Sequence, residues 1–196
     1  MGRRSDGVTS VRVMTNPSED ITPDMKNWTW VLEAACDECG FDTRRVRAHD
    51  IADVVRANAA AWPGVLRRPD ATQRPHPGVW SALEYACHVR DVYRVFAERL
   101  SLMLDASDPE FADWDQDATA VEDGYATQDP AMVSGELLSA AEDIATAFDA
   151  IADDDWQRTG RRGDGSVFTV ETLGRYMVHD PEHHLYDVAG VTAWKP

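Results

Sequence analysis

The chain has 196 residues, 43% of them hydrophobic, and a formal net charge of -16. That length supports one domain with a full core and is short for two. So large a negative surplus repels phosphates, which argues against nucleic acid or an anionic membrane as partner, and no apolar run approaches the length of a membrane span. The N-terminus carries no apolar signal segment, so a cytoplasmic location is expected. Three cysteines, an odd number, argue against a disulfide framework.

Residues 1–41 read as an N-terminal arm packing on the domain. The first 27 or so mix Ser, Thr, Asn, Asp and Pro without a sustained period. Trp28-Thr29-Trp30-Val31-Leu32, aromatic and β-branched, suggests a short extended piece that docks on the core. Cys36-Asp37-Glu38-Cys39-Gly40 follows as a turn. Its cysteine pair fits half of a zinc knuckle or a redox pair; with no second pair and no thioredoxin-like strand pattern, two buried or turn cysteines are the default.

Residues 42–196 read as a helical domain. The spacing of Val46, Ile51, Val54, Val55, Ala59 and Trp62 predicts a first helix, capped by Asp42 and ended by Pro63-Gly64. After a Pro-rich loop, Ser81-Ala82-Leu83-Glu84 forms a capping box that opens a second helix running to about Asp105. Its apolar stripe includes Cys87, a small core residue on this reading, with His88 and Asp91 beside the stripe. The next two dozen residues show no clear period, and such a length permits a long crossover. Asp129-Pro130 then starts a third helix carrying Val133, Leu137, Ala141, Ile144 and Phe148. Gly160 and Gly163-Asp164-Gly165 mark a tight turn or small hairpin, and Thr169 caps a fourth helix. The fold class is therefore all-α: four helices with a long crossover between the second and third.

The fourth helix carries the chemistry. His179 and His183, four residues apart, stand on one helical face with Cβ atoms about 5–6 Å apart, close enough for two imidazoles to share one metal ion. A third ligand must come from elsewhere, and His88 on the second helix is the best candidate. Pro181 lies between the pair, removes a backbone donor and crowds the carbonyl of Met177, which predicts a kink or a restart. If the helix restarts with Asp180 as its cap, His184 replaces His183 as the inward residue.

His88 with Asp91 three positions on, the helical His-x-x-x-His of His179 and His183, and Trp80-Ser81-Ala82-Leu83-Glu84 leading into the first ligand resemble the DinB-like superfamily over residues 42 to about 190. Members of that superfamily include the metal-binding domain of mycothiol-dependent maleylpyruvate isomerase and related mycothiol and bacillithiol S-transferases. The resemblance implies a divalent metal (zinc first; nickel, iron or manganese as alternatives) held by three histidines, with open positions for water, thiol or substrate. It implies a metal-dependent enzyme that activates a mycothiol-like thiol, as co-substrate, for transfer to or isomerisation of a small electrophile. On this reading Asp187 and Asp91 orient the ligand rings, and Arg90, Arg94 and Arg175 are candidate holders of an acidic substrate or thiol cofactor. No side chain is assigned a catalytic role, and a homodimer is a candidate assembly. The competing readings are a non-catalytic metal-binding stress or association protein, and a metal-dependent hydrolase using bound water.

Overall fold

The computed structural model describes Ile21 and residues 26–195; the remainder of the expected arm, 1–20 and 22–25, lies outside the described residues. Four long helices form the body: α1 (Ile51–Leu66), α2 (Ala82–Asp105), α4 (Pro130–Asp149) and α5 (Val170–Ala189), with a short α3 (Gln116–Glu122) in the crossover between α2 and α4. α4 and α5 each pack along both α1 and α2, which barely meet across the diagonal. The four-helix bundle with a long connection between its second and third long helices is thus observed.

The expected start signals operate where they were placed. The Ser81 hydroxyl accepts from the Glu84 N–H, while the Glu84 carboxylate accepts from the Ser81 N–H at 2.8 Å. Asp129 accepts from the N–H groups of Ala131 and Met132, and Thr169 from that of Thr172. Other boundaries differ. Asp42 caps only a 3-10 turn, Thr43–Arg45, and a second turn, Ala48–Asp50, precedes α1. α1 also continues through Pro63 to Leu66. Trp62, Val65 and Leu66 are all buried there, so core burial offsets the loss of one backbone hydrogen bond near the helix end. Trp28–Leu32 is a 3-10 helix in place of an extended piece, with the Asn27 side chain accepting from the Thr29 N–H at its start.

The glycine-rich turn is a hairpin, β2 (Thr159–Arg162) antiparallel to β3 (Val167–Thr169). The crossover adds a two-residue strand, β1 (Glu110–Phe111), parallel to β2. This small sheet lies beside the C-terminal half of α2 and the start of α5. It also fixes the course of the crossover, which carries Trp114 to the bundle mouth.

Gly174 shows how tightly α5 is packed. A Cβ there would stand 2.6 Å from Ile51 Cδ1 of α1 and 2.9 Å from a ring carbon of Phe148 of α4. Deeper in, Asn58 accepts from Trp62 Nε1 at 2.9 Å and from the Tyr93 hydroxyl at 3.0 Å, and donates to Glu182 at 3.2 Å. These buried bonds tie α1, α2 and α5 together in one rotational setting.

At the start of α2, Glu84 is buried and paired with Arg74, whose Nε lies 3.0 Å from the carboxylate. Removing one partner of such a pair strands the other charge in a poorly solvated place. Glu84→Ala should therefore cost about 3 kcal/mol of unfolding free energy, more than the approximately 1 kcal/mol typical of losing a helix cap. Urea denaturation of the two proteins checks this.

Candidate metal centre

Each residue of α5 advances about 100° around the helix axis, so positions 179 and 183 share one stripe and positions 180 and 184 the next. Both stripes carry metal-ligating side chains, and each meets a different part of the chain. The helix runs unbroken through Pro181, which is buried on α5, so no restart intervenes and the two stripes keep helical phase.

The first group is His88 of α2 with Asp180 and His184 of α5; their donor atoms all lie within 4.8 Å of one another. His88 Nε2 is 3.1 Å from Asp180 Oδ1, and His184 Nε2 is 3.7 Å from the same oxygen. His88 is fully buried. Its ring is stacked on Trp114, with centroids 5.3 Å apart, and Trp80 packs obliquely at 5.4 Å. His184 packs on Tyr85 and donates from Nδ1 to Asp187 at 3.1 Å. That bond puts the proton on Nδ1 and leaves the Nε2 lone pair facing Asp180. Burial raises the Asp180 carboxyl, but the His88 and His184 rings outweigh it and hold the group below the usual carboxylate range. Two imidazoles and a carboxylate converging in this way suit a divalent ion.

The second group joins the other stripe to the N-terminal segment. Cys36, Cys39, His179 and His183 also place their donor atoms within 4.8 Å of one another. Cys36 Sγ is 3.7 Å from His183 Nδ1, and Cys39 Sγ is 3.9 Å from His179 Nε2. Trp28 covers both imidazoles, with centroids 5.3 and 5.2 Å away. Burial pushes the Cys39 thiol up to about 12 and His179 down to about 4, and lowers His183 as well.

From spacing alone His88 belongs with His179 and His183. In the folded chain it does not: the three histidines fall into two groups, because the α5 face turned to α2 is that of Asp180 and His184. Asp187 serves the His184 ring at hydrogen-bond distance and is 3.8 Å from His183. Asp91 is turned away, accepting from Arg90, Arg94 and the Tyr125 hydroxyl, while His88 Nδ1 has no hydrogen-bond partner among the described residues. Arg90 and Arg94 are engaged with Asp91 and Glu136, and Arg175 with Val46 and Glu171. Asp180, Cys36 and Cys39 complete the two groups. A signal for the cysteines was present in Cys-x-x-Cys and His-x-x-x-His, but nothing local links stretches 140 residues apart.

A cleft of about 800 Å³ opens over the α5 members of both groups, His179, Asp180, His183 and His184, and is walled by Trp28, Trp80, Tyr85 and Trp114. A smaller cavity of about 280 Å³ adjoins it at Asp180 and Trp114 and carries Arg99 and Arg162. Arg99 is almost wholly buried; burial and the nearby Arg162 both lower its pKa.

The chain is thus a helical-bundle protein that presents acidic and imidazole donors, of the kinds that could hold a metal ion, beside an aromatic cleft. The chain belongs to the DinB superfamily, whose family model matches residues 44–188. The fold is shared with YfiT from Bacillus subtilis, described as a probable metal-dependent hydrolase with an unusual four-helix bundle topology. The two are 19% identical, with a TM-score of 0.63, and the match covers 81% of this chain and 88% of YfiT. A comparison with curated proteins finds no match. Among the described residues no helix is long and apolar enough to cross a membrane.

The burial of His179 has a thermodynamic sign. In the unfolded chain its imidazole protonates near pH 6.5, whereas in the metal-free folded protein it does so only near pH 4. Between those values the unfolded state binds the extra proton, so the contribution is complete above pH 6.5 and is lost as pH falls towards 4. Glu182 acts oppositely: burial pushes its carboxyl up to about 7, and its contribution is lost as pH rises through that value. The His179 effect is therefore read by difference. In chelator-treated protein, the fall in urea midpoint between pH 6.5 and pH 4.5 should be smaller for His179→Asn than for wild type.

Proposed function

We propose that the protein is a metal-dependent enzyme whose divalent ion is held by His88, Asp180 and His184, and that its reaction is hydrolysis of a small molecule in the aromatic cleft. The observation that carries this is the convergence of those three donors, with Asp180 and His184 lining the cleft, His88 buried behind them and Asp187 hydrogen-bonded to the His184 ring. Three protein ligands leave positions open, as in hydrolytic zinc sites and unlike closed structural ones. An ion held there supplies a Lewis acid that acidifies water or a thiol at an open position and polarises a substrate carbonyl.

The chain's own residues supply the rest. Trp80 and Trp114 hold the His88 ring from two sides, so its nitrogen is aimed without rotamer freedom. Asp180, half-buried at the edge of the cleft, offers its carboxylate to the ion, and the two rings beside it keep it ionised for that purpose. Arg99, buried in the cavity that adjoins Asp180, takes the anion-holding role that the resemblance suggested for Arg90, Arg94 and Arg175, while Arg162 beside it is engaged with Asp113 and Asp164.

A second reading, thiol transfer from a mycothiol-like donor, is favoured by cleft size. At about 800 Å³ it has room for a thiol and an electrophile together, within the usual range for small-molecule sites.

Zinc- and manganese-loaded protein should hydrolyse members of an ester, amide and lactone panel without added thiol, and His88→Ala and Asp180→Asn should reduce turnover to background. Turnover that requires a thiol transfers the assignment to the second reading. A fully loaded protein inert in both assays overturns the enzymatic proposal and leaves a metal-binding protein.

A further inference from the structure

The geometry points to a second metal site, distinct from the open one: a closed tetrahedral zinc centre made by Cys36, Cys39, His179 and His183, which we propose staples the N-terminal segment to α5.

Four features support it. The ligand order is Cys-x2-Cys followed by His-x3-His, the spacing of closed Cys2His2 zinc sites, here with the two halves 140 residues apart. The separations agree with an ion at the centre: zinc bonds of about 2.3 Å to sulfur and 2.0–2.1 Å to nitrogen, set tetrahedrally, place neighbouring S and N atoms about 3.5 Å apart. The observed pairs are 3.7 and 3.9 Å apart. The cysteine turn is built as a knuckle. Gly40 N–H donates to Cys36 O at 2.8 Å, Cys36 N–H donates to Phe41 O at 2.9 Å, and Gly40 turns the chain with φ of +75°, where a side chain would strain the backbone. Finally, His183 offers Nδ1 to the group while its Nε2 faces the carboxylates of Glu38 at 3.6 Å and Asp187 at 3.8 Å, beyond hydrogen-bond distance but of the sign that favours a proton on that nitrogen.

Charge fits as well. Binding releases the two thiol protons to solvent as two Zn–S bonds form; two thiolates and two neutral imidazoles then cancel the charge of the ion. A neutral centre avoids the penalty of a net charge in a buried place. The same four groups without an ion would leave two thiols beside two unprotonated rings with only long, weak contacts between them.

The consequence is structural. Trp28 lies over His179 and His183 and also walls the cleft, so the zinc centre sets the position of one cleft wall without contributing an open coordination position.

The test is zinc content and sulfur ligation in the full chain. Zinc-saturated wild type should hold two zinc ions per chain, and X-ray absorption at the zinc edge should show a sulfur shell at about 2.3 Å. His88→Ala should retain one zinc with the sulfur shell intact; Cys36→Ser/Cys39→Ser should retain one with the shell gone. Cobalt-loaded wild type should show thiolate-to-cobalt charge-transfer absorption that the cysteine variant lacks. Because the absorption measurement uses wild type, a misfolded variant does not blunt it. A fully loaded wild type without sulfur scatterers overturns the proposal, as does a Cys36–Cys39 disulfide in protein purified under reducing conditions. Failure of the open site alone would appear differently: one zinc per chain, entirely in a sulfur-containing site.

Discussion

The rotational setting of α5 governs the rest of the structure. Gly174 leaves no room between α5 and its neighbours Ile51 and Phe148, and about two turns further along the helix the Asn58–Glu182 bond ties it to α1 again. With its phase set, a one-residue offset becomes a division of labour: one stripe of α5 faces the cysteine turn and the adjacent stripe faces α2. The His183 and His184 rings, 5.7 Å apart, stand on either side of that division. A rotation of α5 by one residue would carry one stripe into the other's place, turn the second away from its partners and dismantle both groups together.

Helix starts were legible in the sequence because their chemistry is local. A serine hydroxyl three residues before a glutamate, or an aspartate before a proline, satisfies backbone donors within one turn, and the three predicted starts at Ser81, Asp129 and Thr169 needed no distant partner. The two prolines were harder to read. Their local preference ends a helix, yet α1 and α5 pass through Pro63 and Pro181, and burial in the bundle outweighs a missing hydrogen bond. β1 and α3 escaped notice because two strand residues and two helical turns are too short for a hydrophobic period to register.

The candidate site was half legible. The fourth helix and the three histidines were evident as ligand types, but which of them meet is decided by helical phase against α2, and spacing does not contain it. His179 and His183 form the pair that sequence spacing selects, and Asp180 and His184 form the same i, i+4 pair one residue later. Sequence order cannot choose between them. The cysteine turn was harder still: its partners lie at the other end of the chain, and Cys-x-x-Cys alone fits several chemistries.

The charge balance bears on how such sites are filled. Many of the 17 arginines are spent in ion pairs within the fold, with Arg56 bridging Glu142 and Asp149 and Arg74 held by Glu84. Carboxylates remain in excess, and Glu38, Asp115, Asp180 and Asp187 line the main cleft. Such a rim raises the local concentration of cations and lowers that of anions. A divalent ion is drawn to the bundle mouth by the same field that repels an acidic substrate. On the proposed reading, Arg99, buried in the adjoining cavity that Asp180 also lines, is the positive charge that an anionic substrate would meet once past the rim.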